Sequence, residues 1–282
     1  MPPAAKHARS ASDLNRSTIE ATEPKMASGE ILRREVREAL TALSRPTAAL
    51  FISGLSAGLD VGFSLLLMAT MLTQTRGQLP SSVVHILVAN MYSVGFIFVV
   101  LGRSELFTEQ TTLAVLPVLQ KKAKIGALLR LWVLVYVANV IGATAFARLA
   151  TWVGPALGII EPSAFGEIAH RLTDHTSTII FASGLLAGWL MGLLSWLVAA
   201  GRDTISQLVI VWLITAAIGF TNVHHAVLGT VEVLAGFFAH QGITLAEFER
   251  VLLWTTLGNI FGGSIFVSLI KYTHARPEGQ TV

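Results

Sequence analysis

Six long apolar runs constrain the fold of this chain more than any other feature of its sequence. The runs lie at roughly 47–73, 84–119, 126–151, 176–200, 205–238 and 250–272. A membrane-spanning helix needs about 20 mainly apolar residues. Charged residues make up only 13% of the 282 residues, whereas about a quarter is usual in a soluble domain. We therefore predict an all-α integral membrane protein with six transmembrane helices.

The segments outside these runs are polar, and they predict how the chain is oriented. Lys and Arg, with Arg103 left aside, divide 15 to 4 between connections on alternate sides of the membrane. The four on the poorer side are Arg76, Arg148, Arg171 and Arg250. Basic residues concentrate on the cytoplasmic side. We expect both termini to be cytoplasmic and the protein to lie in the inner or plasma membrane, with the lipid bilayer as a partner.

The N-terminal segment divides into a polar tail over 1–28, with no apolar signal-peptide core, and an amphipathic helix over 30–43. In that helix Ile31, Leu32, Val36, Leu40 and Leu43 share one face. Two placements are consistent with this pattern: on an anionic membrane surface, or against the protein's own cytoplasmic face.

Two short patterns occur twice, about 120–130 residues apart. SGLSAG at 53–58 matches SGLLAG at 183–188, and ANVIGA at 138–143 matches GNIFGG at 258–263. Small residues four apart allow close helix packing in lipid, so we assign Asn139, Gly142, Asn259 and Gly262 to helix packing. Three spans per half would make the second half enter from the opposite side, the inverted-repeat architecture of channels and transporters. We predict a tail over 1–45, a pore domain over 46–273 with repeats at about 46–151 and 175–273, and a C-terminal tail over 274–282.

The second and fifth spans are overlong and carry polar residues in their middle. The polar runs lie at 102–110 and 219–232, and we predict that both helices are broken there. Non-helical backbone at membrane depth survives where protein or a water-filled cavity satisfies it. The charged and imidazole groups could set selectivity or form a structural network. They are Arg103, Glu105, Glu109, Asp60, Glu232 and His224. In the structural alternative Arg103 pairs with Glu105, Glu109 or Asp60.

The second histidine of the fifth span, His225, is the strongest candidate for contact with a solute. A neutral imidazole can donate a hydrogen bond to an anion, and near neutral pH it can exchange a proton. We predict that His225 faces Thr108 across the path that the solute takes between the two broken helices. Adjacent helical residues point about 100° apart, so His224 should face elsewhere.

These motifs resemble those of the formate/nitrite transporter family. The resemblance covers about 45–272 and rests on LFT at 106–108, YVANVIG at 136–142, the His-containing break and GNIFGG at 258–263. It implies an aquaporin-like protomer, a homopentamer, and one pore per protomer for a small monovalent anion such as formate, nitrite, hydrosulfide or lactate. By the same resemblance, the residues expected to line the pore are Leu106, Phe107, Thr108, His225 and Gly229.

The chain also departs from that family's pattern. Gly229 stands where the family usually has an Asn four residues after its histidine, and Gly188 stands where a fourth-helix Asn is common. The family's basic residue at the periplasmic vestibule aligns near Leu172, and the neighbouring Arg171 could take that role. Two alternatives stay open: a neutral or cationic solute handled by Glu232 and Asp60, and a non-conducting membrane scaffold.

Several classes of function find no support in the sequence. There is no cysteine, which excludes disulfides and Cys-ligated metals. No catalytic triad order or phosphate-binding loop is present, and adjacent His224 and His225 diverge too far to share a metal with Glu232. The net charge of +3 comes without an aromatic-basic face. We expect no enzyme activity, no metal, no cofactor and no nucleic-acid partner.

Overall fold

A computed structural model describes residues 26–275, except the side chains of residues 266 and 267. Residues 1–25 of the predicted N-terminal tail and residues 276–282 of the predicted C-terminal tail therefore lie outside the described residues. The helices are α1 Ser28–Ser44, α2 Thr47–Thr75, α3 Ser81–Leu101, α4 Phe107–Leu113, α5 Val115–Leu119, α6 Ile125–Ala156, α7 Pro162–Thr173, α8 Ser177–Ala200, α9 Thr204–Thr221, α10 Ala226–Phe238 and α11 Leu245–Phe261. A π-helical segment, Gly262–Leu269, and α12, Ile270–His274, continue the last helix.

Within the described range, six helices are long and apolar enough to cross a membrane. They are Thr47–Thr75, Ser81–Leu101, Ile125–Ala156, Ser177–Ala200, Thr204–Thr221 and Leu245–His274. No strand occurs between residues 26 and 275. The prediction of an all-helical membrane protein with six spans is confirmed.

Local sequence signals set several of the helix ends. The carboxylate of Asp203 accepts a hydrogen bond from the backbone N–H of Ser206 at the start of α9. Thr244 and Glu247 form a capping box at the start of α11. Both arrangements satisfy backbone N–H groups that have no partner inside the helix. The Ser206 bonds also hold the pKa of Asp203 below its ordinary value.

The repeated small residues bring equivalent helix pairs into close contact. α2 packs extensively against α6, and α8 against α11. A Cβ atom at Gly142 would lie 2.5 Å from the carbonyl oxygen of Leu55, and one at Gly262 would lie 2.1 Å from that of Leu185. Only glycine permits such an approach at these two positions. The inverted relation of the two halves stays a prediction.

Helix α7 was not predicted from the sequence, although its pattern contains the signal. It begins at Pro162, a residue favoured in the first helical turn. Its buried residues Ala164, Phe165, Ile168, Ala169 and Leu172 recur at helical spacing. This helix packs against α10 and so contributes a wall next to the second helix break.

The apolar face of helix α1 packs against the rest of the protein and does not face the membrane surface. Ile31, Leu32 and Val36 are buried in a cluster with Leu116 and Trp196. The Arg34 guanidinium donates a hydrogen bond to the carbonyl oxygen of Ala199 at 3.2 Å. Of the two placements considered for this helix, the structure has the one against the protein's own surface.

Candidate functional site

The first helix break lies between α3 and α4, where residues 102–106 are not helical. Arg103 has a positive φ of 58°, and Leu106 is extended at the N-terminus of α4. Asn139 of α6 seals the break: its amide oxygen accepts from the N–H of Phe107 at 2.8 Å. Its amide nitrogen donates to the carbonyl oxygens of Gly54 and Glu105, at 2.7 and 3.0 Å.

The second break, between α9 and α10, is sealed by the same contacts at the repeat-equivalent positions. The amide oxygen of Asn259 accepts from the N–H of Ala226 at 2.8 Å. Its nitrogen donates to the carbonyl oxygens of Gly184 and His224, at 2.8 and 3.0 Å. Asn222 has a φ of 50°, as Arg103 does in the first break. Each Asn thus supplies backbone hydrogen bonds that the interrupted helix lacks.

A serine hydroxyl repeats in the same way. Ser53 accepts from the N–H of Glu105 at 3.1 Å, and Ser183 accepts from the N–H of His224 at 3.0 Å. The Asn and Ser hydrogen bonds that hold the two breaks therefore match, whereas the side chains at the breaks differ. The first presents Glu105 and Leu106, and the second presents His224 and His225 at the corresponding positions.

The two breaks meet at a hydrogen bond between Thr108 and His225. The Thr108 hydroxyl lies 2.8 Å from Nε2 of His225, and both residues are almost fully buried. The N–H of Leu228 donates to Nδ1 of the same ring at 3.2 Å. An imidazole nitrogen that accepts a hydrogen bond carries no proton. The neutral ring therefore holds its proton on Nε2, and this N–H donates a hydrogen bond to the Thr108 hydroxyl.

One face of α3 runs past this pair. Val88, Tyr92, Phe96 and Val100 are spaced four residues apart, so they lie along one side of the helix. The ring of Phe96 packs edge-on against that of His225, with centroids 4.9 Å apart. Two cavities, the wide vestibule and the narrow chamber, lie at opposite ends of this face.

The wide vestibule has a volume of about 330 Å³. Its charged lining residues are Glu38, Arg45, Arg103, Glu105 and Glu109, and Val100 also lines it. Arg45 donates to Glu105 at 2.9 Å, and the Gln110 amide donates to the other oxygen of that carboxylate at 2.6 Å. Charges of both signs therefore line this cavity.

The narrow chamber, beyond Phe96, has a volume of about 20 Å³. Its polar lining residues are His85, Tyr92, Arg171, Asn222 and Glu232. Arg171 comes from α7 and also donates to Glu167 at 2.7 Å. A basic side chain thus stands next to Leu172 at this chamber.

The structure gives Arg103 an ion pair with a residue that was not among the partners considered. Its guanidinium lies 3.6 Å from Glu38 of α1, and its side chain is 65% exposed. Glu105 pairs with Arg45, and the Asp60 carboxylate accepts from Ser56 at 3.0 Å. The sequence did not place α1 beside the first break, so neither Glu38 nor Arg45 was a candidate partner.

Other predicted residues are placed in the core around the pair. Leu106 and Phe107 are buried, and the Phe107 ring packs against Tyr136 with centroids 4.9 Å apart. His224 is turned away from Thr108: its Nε2 bonds to the carbonyl oxygen of Leu172 at 3.0 Å, and its Nδ1 to the Ser183 hydroxyl at 2.8 Å. Sequence reasoning missed Tyr92 and Phe96, which the four-residue spacing along α3 could have indicated.

Gly188 and Gly229, which stand where the family resemblance implies asparagine, differ in their surroundings. A Cβ atom at Gly188 would lie 2.4 Å from the carbonyl oxygen of Asn259, and one at Gly229 would meet only Leu172, at 3.7 Å. Close packing of α8 against α11 therefore requires glycine at 188. At residue 229, by contrast, a Cβ atom would make an ordinary van der Waals contact.

Comparison with known proteins gives concordant matches. A family model described as Formate/nitrite transporter matches residues 29–273. Inner membrane protein YfdC of Escherichia coli (strain K12) is 33% identical over 240 residues, covering 84% of this chain and 75% of that protein. A solved structure described as an FNT family ion channel superposes with a TM-score of 0.78 at 25% identity, covering 88% of this chain and 99% of that one. Another, described as a pentameric formate channel with formate bound, gives a TM-score of 0.70 at 25% identity, covering 81% and 97%.

Six apolar spans, two interrupted helices and a polar pair buried between them define an integral membrane protein of the channel and transporter class. The chain belongs to the formate/nitrite transporter family. The resemblance noted in its sequence is thereby confirmed.

Proposed function

We propose that this protein passes a small monovalent weak-acid anion of the formate and nitrite class across the membrane. The observation that carries the proposal is the buried Thr108–His225 pair, placed between two cavities where the helix breaks meet. Family membership supports an anion channel or transporter. It does not favour a neutral or cationic solute or a scaffold without transport, and no enzymatic reaction is proposed.

The proposal includes an assembly and an orientation. We propose a homopentamer, because a structural neighbour is a pentameric channel. We place the protein in the inner membrane, supported by the Escherichia coli relative, which is described as an inner membrane protein. The uneven distribution of Lys and Arg supports cytoplasmic termini. The wide vestibule, which α1 lines, then faces the cytoplasm, and the narrow chamber faces the opposite side.

In this proposal His225 acts as a hydrogen-bond donor. Its Nε2–H points at Thr108, whose hydroxyl is free to rotate, so both groups can turn their donors toward an anion that comes between them. Proton transfer through this histidine is not part of the proposal. A neutral ring whose Nδ1 accepts from Leu228 can take up a proton only by giving up that hydrogen bond.

Uptake of formate and nitrite into proteoliposomes tests the function. We expect His225→Ala to lower the protein-dependent flux by about tenfold or more, because a hydrogen bond to a charged group contributes about 1.5–3 kcal/mol. Thr108→Val should reduce flux, whereas Thr108→Ser, which keeps the hydroxyl, should preserve most of it. His240→Asn is the matched control, since His240 is exposed and lines neither cavity.

Protein-free liposomes measure leakage of the neutral acids. Absence of formate and nitrite flux in the wild-type protein would contradict the proposed function. Unchanged flux in His225→Ala would contradict only the role of that residue. Reversal potentials under ion substitution would separate an anion from a cation as the permeant species.

A further inference from the structure

Glu232 is a buried carboxyl that no described residue binds. It is 5% exposed and lines the narrow chamber. Within residues 26–275 its carboxylate takes part in no hydrogen bond or ion pair. An ionisable side chain at membrane depth is costly unless it is paired, and such a residue is a functional candidate. The charge of Arg171 acts on Glu232 without a hydrogen bond or close ion pair between them, so the carboxyl is left free to bind a solute in the chamber.

A second unsatisfied polar group faces the same chamber. The hydroxyl of Tyr92 is buried and has no hydrogen-bond partner among the described residues. Its ring stacks on Phe96, with centroids 5.4 Å apart, and Phe96 contacts His225. The chamber, at about 20 Å³, has room for one water-sized group. A polar guest there would lie beside both Tyr92 and Glu232.

The position of Glu232 on α10 places it along the path. It follows His225 by seven residues, which is two helical turns, so the two share a helix face about 10 Å apart. A solute that passes the Thr108–His225 pair from the wide vestibule would reach the chamber next.

The other charged and titratable groups around the chamber come from α3 and α7. His85 and Tyr92 belong to α3, and Arg171 belongs to α7. Nε2 of His85 bonds to the carbonyl oxygen of Phe220 at 2.7 Å, and Arg171 bonds to Glu167. Arg171 supplies a positive charge that favours entry of an anion, and Glu232 is the one carboxyl among the described residues lining this chamber.

A weak-acid anion crosses a low-dielectric barrier far more readily once it is neutral. The proton has to come from an acid on the path, and His225 does not meet that need. Its ring is held neutral with Nε2–H by the bond from Leu228, and a neutral imidazole is not an acid near neutral pH. Glu232 is the next titratable group on the same helix face.

We propose that the narrow chamber is a protonation site, where Glu232 exchanges a proton with the passing anion while Tyr92 donates a hydrogen bond to it. The inference rests on the proposed transport of a weak-acid anion. For an anion that enters the chamber from the side away from the Thr108–His225 pair, the O–H bond of protonated Glu232 breaks and a new O–H bond forms on the anion. The neutral acid then passes Phe96 and the Thr108–His225 pair, and water on the chamber side returns a proton to the Glu232 carboxylate. In the opposite direction the neutral acid passes the pair first, its O–H bond breaks in the chamber, and the Glu232 carboxylate takes the proton.

Flux measurements test the role of Glu232 in transport. General acid–base catalysis by a positioned group typically contributes about 10²–10⁴-fold, so we expect Glu232→Gln to slow formate flux by about tenfold or more and to abolish the accompanying proton movement. Glu232→Asp, which keeps a carboxyl, should retain proton-coupled flux. Glu249→Gln is the matched control, because Glu249 is exposed on α11. Wild-type flux and proton coupling in Glu232→Gln would overturn the proposal.

Infrared difference spectroscopy supplies a readout that does not depend on transport. Adding formate or nitrite to the wild-type protein should deplete a protonated carboxyl band, and that change should vanish in Glu232→Gln and persist in Glu249→Gln. If the band responds while the wild-type protein carries no anion, the transport function fails and the protonation site stands. If no carboxyl band responds in the wild-type protein, the protonation site is wrong, even where Glu232→Gln fails to fold.

Discussion

At the scale of single residues, two glycines at family asparagine positions place different demands on the structure. Gly188 lies against the backbone of Asn259, where a Cβ atom would approach the carbonyl oxygen to 2.4 Å. Backbone does not move aside as the end of a flexible side chain does. Gly229 faces the side chain of Leu172 at an ordinary contact distance. The two departures from the family pattern therefore have unequal structural consequences.

We predict that Gly188→Asn destabilises the protein by about 1–3 kcal/mol, the usual cost of overpacking. Gly229→Asn should destabilise the protein less, because a Cβ atom at this position meets only Leu172, at an ordinary contact distance. Thermal unfolding in detergent, followed by loss of the native oligomer, compares the two variants directly. Equal losses of stability would contradict the difference in packing.

The sequence identified residues of the site better than it identified their partners. Thr108 and His225 were paired from the family resemblance and the positions of the breaks. Arg103 was given partners close to it in sequence or span, although its actual partner, Glu38, depends on how α1 docks. Tyr92 and Phe96 were missed because aromatic residues in an apolar helix look like any other packing residues until a cavity is seen beside them.

At the scale of elements, the two interrupted helices depend on Asn139 and Asn259. Each of these side chains makes three hydrogen bonds to backbone groups, two of them at a break and the third to a carbonyl oxygen within α2 or α8. In hydrocarbon surroundings such backbone groups have no water to replace a lost partner. The asparagines assigned to helix packing thus also hold the non-helical segments in place.

Replacing either asparagine by leucine keeps the approximate size and removes all three bonds. We expect Asn139→Leu and Asn259→Leu each to destabilise the protein strongly, since each buried group left unsatisfied costs about 1–3 kcal/mol. Asn90→Leu is the control, because the Asn90 amide bonds lie on an exposed surface. Denaturation of the purified proteins provides the comparison. A loss for Asn90→Leu as large as for the other two would contradict this account.

The lengths of the apolar runs predicted the spans and their order, because the thickness of the membrane sets the length of a spanning helix. It did not predict α7, since a half-buried amphipathic helix has no such length requirement. The interruptions in the second and fifth spans were predicted from polar residues within apolar runs. Their conformation was not, because left-handed Arg103 and Asn222 follow from tertiary contacts with α6 and α11.

At the scale of the whole molecule, helix α1 of the N-terminal segment forms part of the wall of the wide vestibule. Its buried face includes Glu35, which is 1% exposed and whose carboxyl oxygens have no hydrogen-bond partner among the described residues. Burial, followed by the nearby charges of Glu109 and Glu38, raises the pKa of Glu35 well above its ordinary value. Docked α1 therefore binds a proton more strongly than undocked α1 does.

That difference in pKa makes the docking of α1 depend on pH. Docking is strongest below the ordinary carboxyl pKa of about 4.3 and weakens as pH rises toward the raised value, by up to about 1.4 kcal/mol per pH unit. Glu35→Gln carries no charge at any pH, so we expect it to remove this dependence and strengthen docking at pH 7. Glu30→Gln, at an exposed position of the same helix, is the control and should behave like the wild-type protein.

Hydrogen exchange of the α1 amides, corrected for the intrinsic effect of pH on exchange, measures docking in the intact protein. Protection in the wild-type protein should fall as pH rises, and protection in Glu35→Gln should stay constant at the higher level. The same pH dependence in both proteins would show that another group controls the docking of α1. Because α1 supplies Glu38 and Thr41 to the vestibule wall, a change in its docking would also alter the lining of that cavity.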